Sequence, residues 1–183
     1  MIPRRRHVLL GLAITLAATP GTAGAQPQEI RSALPLATLA GYARFKFWSF
    51  NIYDARLWVQ PGFHAGDYQR HAFALELTYL REFTNEAITN RSIDEMRRLA
   101  GATQAQLALW RPLLRAVFPD IKKGDRITGI HRPGVGTEFI TNGKAGATIR
   151  DAEFGRLFFG IWLSAQTSEP RLREALLERA EPS

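Results

Sequence analysis

A chain of 183 residues with a formal net charge of +7 and no cysteine is long enough for one sizeable core and has no disulfide to hold it, so packing alone must do so. The charge is spread without a basic block, which argues against a nucleic-acid partner. Four histidines, at positions 7, 64, 71 and 131, make no metal-like pair, so neither a metal site nor a cofactor is expected.

Residues 1–25 read as a cleavable export signal. Arg4, Arg5 and Arg6 precede an apolar run from Val8 to Ala18, and Ala23-Gly24-Ala25 supplies the small residues of a cleavage site before Gln26. The run is too short to span a bilayer, and no later run is long and uninterrupted enough. A soluble periplasmic domain of residues 26–183 is therefore expected, with no transmembrane span after signal removal. The adjacent arginines leave the general secretory and twin-arginine routes both open. Losing them lowers the net charge from +7 to +4.

The mature chain is organised around Gly41 to Val59, GYARFKFWSFNIYDARLWV, whose aromatic and β-branched content predicts long β-structure. On an unbroken strand Arg44, Lys46, Trp48, Phe50 and Ile52 would share one face, and Phe45, Phe47, Ser49, Asn51 and Tyr53 the other. Arg44 either snorkels to solvent over the rings or awaits an acidic ligand in an apolar pocket. After a connector, Phe73, Leu75, Leu77 and Tyr79 alternate with polar or small residues, a strand expected to pair with the aromatic stretch.

From Thr84 the period turns helical through Ile88, Ser92, Met96 and Leu99, with Thr84 or Asn85 as cap and Gly101 as stop. A second helix is predicted from about Thr103 to Phe118, burying Leu107, Trp110, Leu113, Leu114 and Val117, with Pro112 kinking or restarting it. Asp125 to Ile149 reads as a three-stranded antiparallel meander with a hairpin turn at Asn142-Gly143. Asp151 caps a helix whose Phe158-Phe159-Gly160-Ile161-Trp162-Leu163 run is a core plug. Ser168 caps the last helix, with Pro170 in its first turn. This order predicts an α+β class, one antiparallel sheet with helices packed on one face.

Four segments resemble the bacterial exported branch of the chalcone isomerase-like family. They are Gly41-x-x-Arg44 followed by Ile52-Tyr53-Asp54-Ala55-x-Leu57-Trp58, then Leu75-x-Leu77-x-Tyr79-x-Arg81, then Phe118-Pro119-Asp120-x-x-x-Gly124-Asp125, and the 158–163 run before Thr167-Ser168. The resemblance implies an open-faced sandwich with a cleft between a large antiparallel sheet and its helical layer. It also implies either an isomerase or a non-catalytic fatty-acid binder. Arg44 matches the isomerases' substrate-holding arginine, and their threonine falls on Trp48 or Ser49. Their tyrosine and asparagine fall near Thr84 and Arg91 and are not matched, and their substrate-touching residue on the last helix corresponds to about Leu172. No catalytic residue is therefore expected.

The resemblance implies that the family's fatty-acid binders hold a carboxylate with an arginine and a tyrosine hydroxyl, a charge-assisted bond and a neutral one. Arg44 and Tyr53 supply those types, with Trp48 and Ser49 beside them. Their odd separation puts them on opposite faces of a regular strand, so convergence requires a bulge or break between Trp48 and Asn51. Holding a small apolar or carboxylate ligand, such as a fatty acid, is the leading expectation. An intramolecular lyase of the chalcone type and an envelope protein-interaction module are the alternatives.

Overall fold

The computed structural model describes residues 25–180, so the export signal read at 1–25 lies outside the described residues except for Ala25. Six strands form one antiparallel sheet in sequence order: β1 (Thr38–Phe47), β2 (Phe50–Val59), β3 (Phe73–Tyr79), β4 (Arg126–Arg132), β5 (Gly136–Thr141) and β6 (Lys144–Ile149). The helices are α1 (Gln28–Ala33), α2 (Asn85–Arg98), α3 (Gln104–Val117), α4 (Ala152–Leu163) and α5 (Pro170–Leu177), and a 3₁₀ turn spans Ala65–Arg70 between β2 and β3. The α+β class expected from the changes of period, and the open-faced sandwich implied by the family resemblance, are the architecture the chain adopts.

The aromatic stretch is a hairpin, not one strand. β1 turns back at Trp48 and Ser49, and Phe47 faces Phe50 across the turn. Trp48 occupies the left-handed region with φ +54, a conformation normally left to glycine or asparagine. The expected Asn142-Gly143 turn has both residues at positive φ, as a type I′ turn requires. β2 pairs with β3, and β4 to β6 form the expected meander.

One face of the sheet carries Ala55, Leu57, Phe73, Leu75, Leu77, Ile127 and Phe139 into the main core. α4 is its plug: Phe154, Leu157, Phe159 and Leu163 are fully buried, and Phe159 meets Phe73 edge-on at 4.7 Å. α5 closes against β1, where a Cβ on Gly41 would come within 2.1 Å of the Ala175 carbonyl oxygen. That approach gives Gly41 its physical reason. The opposite face is covered in part by α1, which the periodicity did not reveal. Ile30 and Leu34 pack there on Trp58, Ala74, Ile130 and Ile140.

The helix ends show which capping signals were readable. Thr84, Thr103 and Asp151 each accept a backbone N–H from the first turn of α2, α3 and α4. Gly101, at φ +96, lies two residues past the α2 cap Leu99. α3 runs as one helix through Pro112, so no restart occurs, and Leu113 is exposed where burial was expected. Ser168 is not the cap of α5. That position falls to Glu169, without a side-chain bond, because the Ser168 hydroxyl donates elsewhere.

Candidate functional site

Between the sheet and its helical layer, at the end where β1 and β2 form their hairpin, lies a cavity of about 320 Å³, at the small end of the range for small-molecule sites. The register builds its sheet wall. Phe45 stands opposite Tyr53, and Tyr53 opposite Tyr79, so three rings from three strands line up on the inner face. Phe45 stacks on Tyr53 at 5.1 Å, Tyr53 meets Tyr79 edge-on at 5.9 Å, and Phe83 continues the row at 5.8 Å. The facing wall comes from Ile88 of α2, Phe158, Ile161 and Trp162 of α4, and Leu172 of α5.

Few polar groups reach this space. The Trp162 indole Nε1–H donates to the Tyr53 hydroxyl oxygen at 3.0 Å, which leaves the phenolic O–H as a donor. Burial pushes both the Tyr53 and Tyr79 phenols above their ordinary range, so each is neutral at physiological pH and acts as a hydrogen-bonding group. On α2, Ile88, Ser92 and Glu95 follow one stripe facing the cavity, and Arg91 lies at its edge. The Ser92 hydroxyl donates to the Ile88 carbonyl within the helix at 2.9 Å.

Arg91 and Glu95 form an ion pair one helical turn apart, with Nη2 2.8 Å from Oε1. The contact is close but not aligned as a hydrogen bond, so Oε1 is held by charge alone. Oε2 accepts from the Ser168 hydroxyl at 2.8 Å. The pair is asymmetric. Glu95 keeps 5% of its side-chain surface exposed, whereas Arg91 keeps 53%. A guanidinium has five N–H donors in a planar fork, and Glu95 engages one edge of it. Arg91 also lines the cavity, so the guanidinium stands where the cavity meets solvent.

The residues singled out by sequence divide. Tyr53 lines the cavity, and Leu172 does too. Arg44, Trp48 and Ser49 do not. Arg44 lies on the outer face opposite Asp54, to which it donates twice, from Nε at 2.6 Å and Nη2 at 2.9 Å. Tyr42 adds a third bond to the same carboxylate at 2.9 Å. The convergence of Arg44 with Tyr53 is therefore corrected. The chain does break near Trp48, but as a hairpin whose register keeps the two residues on opposite faces. Trp48 and Ser49 are exposed at the turn. Thr84 is occupied as the α2 cap.

Glu95 and Ser168 were not picked out as site residues, and Arg91 was named only as the unmatched place of the isomerases' asparagine, although it lines the cavity. A signal existed for Glu95, since it lies seven residues after Ile88 and three after Ser92, on the inward stripe of the helix. Among the described residues no group of three His, Asp or Glu is arranged to hold a metal, and no helix is long and apolar enough to cross a membrane.

Comparison with known proteins gives three likenesses. Residues 27–178 match the family described as chalcone isomerase-like. An uncharacterized protein of Haemophilus influenzae is 29% identical over 142 residues, which cover 75% of this chain and 66% of that relative's length. The crystal structure of a fatty-acid binding protein of Arabidopsis thaliana aligns with a TM-score of 0.60 at 12% identity, covering 79% of this chain and 88% of that one. At that identity the likeness is one of fold. Because the family match runs through every strand and helix that walls the cavity, the chain belongs to the chalcone isomerase-like family.

Proposed function

We propose that this protein is a non-catalytic carrier or holder of a small apolar acid, such as a fatty acid, and that it works in the periplasm after removal of residues 1–25. The observation that carries the reading is an apolar cavity with one half-exposed guanidinium, Arg91, at its polar end. The alkyl chain would lie among Leu77, Ile127, Phe158, Trp162 and Leu172. The carboxylate would take the free edge of Arg91 and the Tyr53 hydroxyl. The fold shared with a plant fatty-acid binding protein supports the reading. The export assignment rests on the basic, apolar and small-residue regions at the N-terminus.

The tyrosines suit holding better than proton transfer. A general base works best with a pKa near the operating pH, and burial moves both cavity phenols away from it. Native mass spectrometry of protein recovered from its own envelope tests the proposal. A mature chain beginning at Gln26 and carrying one long-chain carboxylic acid is expected. Ligand-free protein that also fails to take up added fatty acid would contradict it.

A further inference from the structure

We propose that the tip of the β1–β2 hairpin is a docking loop for a bilayer that contains anionic phospholipid, and that it sets the mouth of the cavity against the lipid surface. The tip exposes three consecutive or near-consecutive rings: Phe47 is 51% exposed, Trp48 87% and Phe50 54%. Exposed large apolar groups clustered in this way mark an interaction site. Trp48 adds backbone strain, since a bulky residue at φ +54 persists only where its surroundings hold it there.

Cations stand behind the rings. Arg81 places its guanidinium 4.3 Å from the Phe50 ring centroid, and Lys46 is exposed two residues before Trp48. Neither forms an ion pair among the described residues. The acids nearest to them in the chain are Glu82, exposed beside Arg81, and Asp54, which Arg44 and Tyr42 occupy. Rings at the apex with cations behind match the two layers of a membrane interface, where tryptophan sits at headgroup depth and lysine or arginine meets lipid phosphate. A narrow turn also lacks the roughly 800 Å² that a stable protein partner needs on each side.

The tip is continuous with the cavity. Phe47 is exposed at the turn and also lines the cavity, as Ile52 does on the returning strand. A ligand poorly soluble in water could then pass between bilayer and cavity along apolar surface. That consequence rests on the ligand proposed above, whereas the docking itself does not.

Sedimentation of the whole mature protein with phosphatidylcholine vesicles, with and without phosphatidylglycerol, tests the proposal. Binding is expected to the phosphatidylglycerol vesicles, weakening as salt rises. Trp48→Ser should lower the partition coefficient about tenfold. The double variant Lys46→Gln, Phe50→Ser should lower it as well, while titrating a fluorescent fatty acid in vesicle-free buffer as wild type does. Docking without fatty-acid uptake would leave the loop standing and remove the ligand reading. Equal sedimentation of wild type and both variants would overturn the docking loop.

Discussion

Two arginine–carboxylate pairs of the same chemistry lie on the two sides of the β1–β3 half of the sheet, and they are built for different ends. On the outer face Arg44 meets Asp54 through two hydrogen bonds and Tyr42 adds a third, so both aspartate oxygens are engaged and one edge of the arginine's fork is taken. The Arg44 hydrogen bonds hold the Asp54 carboxyl below the usual carboxylate range. On the cavity side the carboxylate is buried and the arginine half-exposed, with a close but unaligned contact between them. A pair closed on itself is a surface clasp. One that leaves donor capacity facing an apolar cavity can receive a third group.

The largest expected effect comes from breaking the inner pair. Arg91→Ala leaves the buried Glu95 carboxylate with Ser168 alone, and an under-compensated buried charge costs about 2 to 3 kcal/mol. Urea denaturation should show that loss, and the double variant Arg91→Met, Glu95→Met should recover most of it, because the second charge is then gone too. If the double variant is as unstable as the single one, Glu95 is not the source of the cost.

A smaller effect sharpens the comparison. Glu95 faces the same end of the cavity as the proposed carboxylate, so like charges oppose each other there. Glu95→Gln removes that repulsion, and the amide oxygen can still accept from Ser168. Fatty-acid affinity should rise about tenfold, a repulsion of roughly 1.4 kcal/mol. Isothermal titration of the two proteins reads the difference, and weaker binding by the variant would mean that Glu95 itself contacts the ligand.

The smallest effect belongs to the outer pair. Asp54 has a lowered folded pKa, so its stabilisation is present above the unfolded carboxylate value of about 3.9 and is lost as pH falls through the folded value. Asp54→Asn should flatten the acid side of the stability–pH curve slightly and change little at neutral pH, as exposed pairs generally do. Thermal melts across the acid range would show it. A marked loss at neutral pH would mean that the outer clasp carries more of the fold than its exposure suggests.

Much of the fold was legible because its signals are local. Alternation in Phe73–Tyr79, the Asn142-Gly143 turn and the capping side chains of Thr84 and Asp151 each act within a few residues. The Trp48 hairpin was not legible, since no glycine or Asn-Gly pair marks it and an aromatic residue takes the left-handed turn position. Arg44 stood out by composition, a guanidinium among rings, but its partner Asp54 is set by the hairpin register. The cavity's own cation was obscured for the opposite reason. Arg91 lies on a helix rich in charged residues, and the resemblance marked its place only as an unmatched asparagine; the packing of α2 against the aromatic row is what sets it apart from an ordinary solvent-facing arginine. Ser168 looked like a cap because serine often is one; its bond to Glu95 spans 73 residues of sequence.

The central claim is that the cavity reads a carboxylate through Arg91 and not through Arg44. Parallel titration of a fluorescent fatty acid into wild type, Arg91→Gln and Arg44→Gln, each checked for a folded spectrum, tests it most directly. Loss of a charge-assisted hydrogen bond of about 1.5 to 3 kcal/mol predicts a tenfold to hundredfold weaker Arg91→Gln, with Arg44→Gln within a factor of about two of wild type. The reverse result, with Arg44→Gln weakened and Arg91→Gln unchanged, would contradict the account.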